Sequence, residues 1–247
     1  MDGAELAAEL AELAERMYRA PDPEQTAEQV VAYAREQLGA DHAGITLIGR
    51  GGRLETVAPT EPIVEQADML QNELAEGPCY DSAWHGSTLV SQDLAAERRW
   101  PTWTPKALAL GISSVLGVEL LDQSGEHRLG AMNVYWATDR LITADEVAVA
   151  HLISRHAALA LDGSLKVKGL NVALDGRKRI GQAQGILMER HGLDEDQAFA
   201  VLRRYSQNHN IKLRALAETL VVTRKLPAYG PAEKDPGPDA GGTPTTS

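Results

Sequence analysis

Arg203, Arg204, Lys212 and Arg214 flank a short polar run, Asn208, His209 and Asn210, and three further cations, Arg177, Lys178 and Arg179, stand together upstream. Guanidinium and ammonium groups neutralise phosphates, whereas amides, imidazoles and guanidinium planes read splayed bases of a nucleic-acid loop. In this reading the cations supply affinity, and Asn208, His209 and Asn210 contribute loop specificity. The surrounding charge sets the region apart. Residues 166–225 hold 12 Lys and Arg against 6 Asp and Glu, while the rest of the chain holds 12 against 29. A basic module inside a chain of net charge −11 points to a polyanion bound locally, and it excludes a generally basic nucleic-acid coat. For any single cation, a solvated helix face is the competing reading.

A second group lies in residues 76–86, which read as an irregular stretch containing Cys79, Trp84 and His85. Here Trp84 is a candidate pocket wall and Cys79 a candidate redox or ligand contact, with Trp103 a further candidate for ligand binding. The alternatives are a small buried thiol at Cys79 and helix-anchoring indoles at Trp100 and Trp103. With one cysteine there is no intramolecular disulfide, which fits a reducing cytosol. The seven histidines form no HxxxH pair, so neither a metal site nor a cofactor is implied. GxxxxGK[ST], GxSxG and HExxH are all missing, and the glycines of 49–52 sit between two strands where a hairpin turn belongs. These absences argue against an enzyme. No signal peptide or membrane span is expected from the acidic, amphipathic first residues, so the expected location is cytoplasmic.

The elements that must carry these groups follow from hydrophobic period and punctuation. Helices are expected over 4–19, where Leu6, Leu10, Leu13 and Met17 share a face, and over 24–38, closed by Gly39. Strands are expected at 43–48, 54–58, 89–91, 113–121 and 128–137, with helices at 62–74 and from Arg99 to about residue 110. Thr143 with Glu146 three residues on has the spacing of a helix N-cap. The helix it opens has a heptad register of Val149, Leu152, His156, Leu159, Gly163, Lys166, Leu170, Ala173, Arg177, Ile180, Gln184 and Leu187, suited to a dimeric connector. Gly163, Gly169 and Gly176 each cost about 1 kcal/mol relative to Ala in a helix, so a break competes. Three short helices then run through Ile180, Ala183 and Leu187; Ala198, Phe199, Leu202 and Tyr205; and Leu213, Leu216, Leu220 and Val221. They are joined by a stop at His191 and Gly192, a capping box from Asp194 to Gln197, and the 208–210 turn. Glycine at 181 and 185, one turn apart in a helix, suggests a close backbone approach. Residues 226–247 read as a disordered tail.

Positions Arg177, Ile180, Ala183, Gly185, Ile186, Leu187 and Met188, then Ala198, Leu202, Ser206, Asn210, Lys212, Leu213 and Ala217, resemble the ANTAR family of RNA-binding domains across three helices without a gap. The resemblance implies a dimer that binds tandem hairpins in nascent transcripts and prevents a terminator from forming. Residues 77–81, Asp93, 99–101, Gly111, Ser113, Ser114 and 130–135 resemble the GAF domains that precede ANTAR modules, which implies a small-molecule sensor or a dimerising domain. The expected fold is thus an α+β GAF-like domain, a long helical connector and an all-α three-helix ANTAR-like bundle. The expected divisions are an N-terminal helix over 1–23, a sensor over 24–162, connector and RNA-binding domain over 163–225, and the tail. The expected function is a signal-responsive regulator that binds RNA hairpins, with a homodimer as the working form and no membrane partner. The alternative is a small-molecule sensor whose helical end mediates dimer or protein contacts instead of RNA binding.

Overall fold

The computed structural model describes residues 3–49 and 51–227, with side chains from residue 8 onward. Beyond Leu226 and Pro227, the expected tail lies outside the described residues, as does the side chain of Leu6. The chain divides into two compact units, with the boundary between Lys168 and Gly169.

In the first unit, α1 (Gly3–Arg19), α2 (Pro23–Gln37) and the first part of α6 (Ala144–His191) cover one face of an antiparallel sheet. The strands are β1 (His42–Ile48), β2 (Leu54–Thr56), β3 (Leu89–Ser91), β4 (Ser114–Leu121) and β5 (Arg128–Trp136), in the order β2-β1-β5-β4-β3. Strand side chains alternate between faces. Ile45, Leu47, Leu116, Val118, Leu120, Met132 and Val134 therefore form an apolar core with Val30, Ala34, Ile153, Ala157 and Leu161. The opposite face receives α3 (Pro62–Leu74), α4 (Pro78–His85) and α5 (Trp103–Ala109), after a 3-10 turn at Leu94–Ala96 capped by the Asp93 carboxylate. Two strand glycines admit the helices closely. A Cβ at Gly44 would lie 2.6 Å from Val64 Cγ1, and one at Gly117 would lie 3.1 Å from the Pro78 carbonyl oxygen.

Residues 76–86 are not irregular. Pro78 occupies the first turn of α4, where its missing N–H costs nothing, and Gly86 closes the helix at φ +69°. Neither a side-chain cap at Gly77 nor a repeated apolar stripe announces so short a helix. Similarly, β2 stops at Thr56, and α5 starts only at Trp103.

α6 is helical through Gly163, Gly169 and Gly176, and accepts their propensity cost. Its buried core residues in the first unit are Ala150, Ile153, Ala157, Ala158 and Leu161. Of the expected heptad positions, Leu152 and Leu159 lie on the other side, 42% and 51% exposed, whereas Val149 packs against this core and Leu187 belongs to that of the second unit. The capping box is formed as expected: Asp194 accepts from the Gln197 backbone N–H, while Gln197 returns a bond to the Asp194 N–H. In the second unit, Ala183 and Leu187 of α6 pack with Ala198 and Leu202 of α7 (Glu195–Asn208) and with Leu216, Ala217 and Leu220 of α8 (Leu213–Thr223). A Cβ at Gly181 or Gly185 would meet nothing within 4 Å, so the expected close approach is not made by the described residues.

Leu116 and Leu202 are fully buried in separate cores. Replacing either with Ala removes apolar contacts and leaves a cavity, a loss of about 2–5 kcal/mol. Urea unfolding followed by circular dichroism of the full chain checks this, with each substitution expected to lower the midpoint.

Candidate nucleic-acid interface and ligand cavity

The basic surface of the second unit depends on how α7 ends. His209 terminates the helix, and Asn210 adopts φ +50°, a left-handed conformation that asparagine tolerates better than most residues. The Ile211 N–H donates to the Ser206 carbonyl at 3.0 Å, and the Ser206 hydroxyl donates to the Ile211 carbonyl at 2.5 Å. The turn is thereby closed from both sides, and Lys212 stands at the N-cap of α8. Asn208 and Asn210 remain exposed, whereas His209 is half-buried with its ring 4.4 Å from that of Tyr205. Asn210 thus has a backbone duty independent of any RNA contact.

Arg214, in the first turn of α8, reaches back to α6 and donates to the Val172 carbonyl at 3.4 Å. Around it, Lys178, Arg179 and Gln182 from α6 join Asp175 and Glu218 in lining a depression of about 230 Å³. Cations thirty-five residues apart in sequence therefore meet. Arg177, Arg203, Arg204 and Lys212 are exposed but do not line that depression. Asp175 and Glu218, absent from the sequence-based set, place two carboxylates among the three cations. Asp175 stands on α6 three and four residues before Lys178 and Arg179, whereas Glu218 comes in with α8.

In the first unit, a cavity of about 600 Å³ lies between the β1–β2 turn, α3 and α4. Gly52, Arg53, Leu54 and Thr56 form one wall, Glu65, Met69, Asn72 and Glu73 a second, and Tyr80 and Trp84 a third. Trp84 packs its ring 3.2 Å from where a Cβ on Gly52 would stand, and Gly52 itself has φ +77°. Of the three candidates for ligand contact, Trp84 lines this cavity, whereas Cys79 and Trp103 are buried in the apolar cluster on the α3–α5 face. There Trp103 meets Trp100 edge-to-face at 6.1 Å and donates from Nε1 to the Ala67 carbonyl.

Behind the cavity lies a buried polar network. Asp68 of α3 accepts from Thr46 Oγ1 and Thr56 Oγ1, each at 2.8 Å, from Tyr135 Oη at 2.7 Å and from Asn133 Nδ2 at 3.3 Å. Cys79 Sγ lies 3.0 Å from Tyr135 Oη, which also accepts from Gln71 Nε2 at 3.3 Å. Burial raises the Asp68 carboxyl above the ordinary carboxylate value, and these hydrogen bonds pull the other way without overcoming it. Burial likewise pushes the Cys79 thiol and the Tyr135 phenol well up, so both are neutral. A thiol held in that form is a weak nucleophile. One signal in the sequence marked this region: on α3 the polar Asp68 and Gln71 face inward and Met69 faces outward, the reverse of an ordinary amphipathic pattern.

A GAF domain profile matches residues 20–162, more than half of the chain. The chain belongs to the GAF domain family. An ANTAR domain profile follows at residues 168–221, so the architecture is GAF then ANTAR. Similar solved structures include the GAF domain of a phosphoenolpyruvate-protein phosphotransferase from Coxiella burnetii, at 18% identity and TM-score 0.54, covering 69% of this chain and 99% of that one. The corresponding domain from Acinetobacter gives 11% and 0.53, covering 68% and 99%. A phycoerythrobilin-bound GAF domain from a cyanobacterial phytochrome gives 15% and 0.52, covering 66% and 97%. At these identities the likeness is one of fold. No curated protein matches the chain.

The raised carboxyl of Asp68 has a definite consequence for stability in the GAF domain. A group whose folded pKa exceeds its unfolded value stabilises the fold fully below the unfolded value and loses that contribution as pH rises through the folded one. Asp68→Asn cannot ionise. Urea midpoints taken from pH 4 upward should therefore fall less in D68N than in the parent chain.

Proposed function

We propose that this chain is a signal-responsive RNA-binding regulator that captures hairpins in nascent mRNA and prevents transcription termination. GAF and ANTAR domains are regulatory, the first a sensor type and the second an RNA-binding type. The observation that carries the reading is the meeting of Lys178, Arg179 and Arg214 inside the segment matched by the ANTAR profile. Hairpin phosphates fit that cluster, extended by Arg177, Arg203, Arg204 and Lys212, while Asn208, His209 and Asn210 meet loop bases. The sensor occupies residues 24–162, and the connector with the RNA-binding domain occupies 163–225.

A homodimer suits both parts. Within the first unit, Tyr18, Leu159 and Val167 are exposed, and with Met17, Ala160 and Gly163 they line a largely apolar groove of about 650 Å³ between α1 and α6. Association of two copies along this strip removes it from water. A signal molecule in the GAF cavity then acts by favouring one dimer arrangement over another, in proportion to its difference in affinity for the two. Among the described residues no helix is long and apolar enough to cross a membrane. We assign the protein to the cytoplasm, where nascent RNA is made. The same apolar strip supports a second reading, in which the helical part serves dimer or protein contacts without RNA.

Gel shifts with a hairpin RNA across a salt series separate the two readings. The double substitution Lys212→Ala with Arg214→Ala should weaken binding and lower the slope of log affinity against log salt by about one per lost phosphate contact. An unchanged slope would sink this surface. For the dimer, Leu159→Glu places a charge in the apolar strip and should shift sedimentation of the full chain toward monomer, with circular dichroism unaltered.

A further inference from the structure

We propose that the GAF cavity takes a linear aliphatic polyamine, a ligand class that deepens the sensor reading above and rests on it. Glu65 and Glu73 stand two helical turns apart on α3, so their backbones are separated by roughly 12 Å along the helix axis. Met69, 53% exposed, lies between them, and Asn72 lies beside Glu73. Opposite this strip are Tyr80 and Trp84, one turn apart on α4, with ring centroids 6.3 Å apart and planes tilted by 51°. The cavity therefore presents a carboxylate toward each end, a thioether between them, and an aromatic wall.

Each feature matches one part of an extended polyamine. Terminal ammonium groups pair with the two carboxylates, methylenes lie against Met69, and an interior ammonium meets the π faces of Trp84 or Tyr80. The acids are available for this. The ion pairs of the first unit use other carboxylates, at Glu15, Glu24, Asp81, Glu97, Asp122, Glu146 and Asp162, while Glu65 and Glu73 enter none among the described residues. Among the described residues that line the cavity, Arg53 is the one cation. Two carboxylates against one guanidinium disfavour a phosphate or a dicarboxylate ligand. Thr56 joins the cavity wall to the Asp68 network, so the wall behind the ligand is fixed to the sheet.

The test is calorimetric titration of the full chain with spermidine at physiological ionic strength, with butylamine and cyclic AMP as comparisons. Saturable one-to-one binding of spermidine is expected, with butylamine and the Glu65→Gln, Glu73→Gln double variant each weaker by about tenfold or more. Both glutamates are exposed, so the variant should keep the parent's thermal midpoint. Glu12→Gln with Glu28→Gln removes the same charge from surface positions outside the cavity and should leave the affinity unchanged. The proposal is overturned if spermidine fails to saturate, if E65Q/E73Q binds it as the parent does, if E12Q/E28Q weakens it equally, or if butylamine or cyclic AMP binds as tightly. Hairpin gel shifts on the same preparation without amine keep the two readings apart. RNA binding without spermidine binding removes only the ligand class, and spermidine binding without RNA binding removes only the output.

Discussion

A carboxylate without a neighbouring cation, Asp68, holds α3 to the sheet through hydroxyls and amides from three strands. Burying a carboxyl is tolerable only when its lone pairs are satisfied, and a change in any partner leaves a polar atom exposed to a medium that solvates it poorly. The network therefore specifies where α3 lies with more precision than apolar packing alone. The position of α3 in turn sets one cavity wall, because Glu65, Met69, Asn72 and Glu73 belong to the same helix. Tyr135 extends the constraint to α4 through Cys79 and to the end of α3 through Gln71. One buried group thus coordinates the backbone around a site whose own side chains are largely exposed.

The sheet uses its two faces differently. The α1, α2 and α6 side is built from aliphatic residues and needs only volume and pattern. The α3–α5 side combines an apolar cluster around Trp100 and Trp103 with the polar network. The cavity lined by Tyr80 and Trp84 lies on this second side, where helix–strand contacts are made through glycines and hydrogen bonds. α6 belongs to the first face and presents leucines to solvent at the heptad positions. Its two apolar stripes differ in kind: one packs on the sheet, and the other is exposed.

Much of the architecture was legible in the chain. The apolar runs in 113–121 and 128–137, the N-cap at Thr143 and the capping box at Asp194 are local signals whose chemistry survives in the fold. α4 was not legible, because eight residues with a proline start and a glycine end resemble a loop when no side-chain cap is present. The roles of Gly181 and Gly185 were unreadable for a related reason: a glycine reports permission for a close contact, never that one is made.

Charge, periodicity and motif spacing are properties of neighbouring residues, so the sequence by itself determined two kinds of module and the basic character of the second. Convergence across distance belongs to tertiary structure. Glu218 and Arg214 beside the α6 cations, Asp68 beneath four donors, and the enclosure of Trp84 but not Cys79 or Trp103 at the cavity each require elements far apart in the chain to pack at a fixed register. Helix and strand periods say which side of an element is buried, but not which element lies against it. That choice is made by close packing and by the need to satisfy buried polar groups, both of which act between residues with no nearness in sequence.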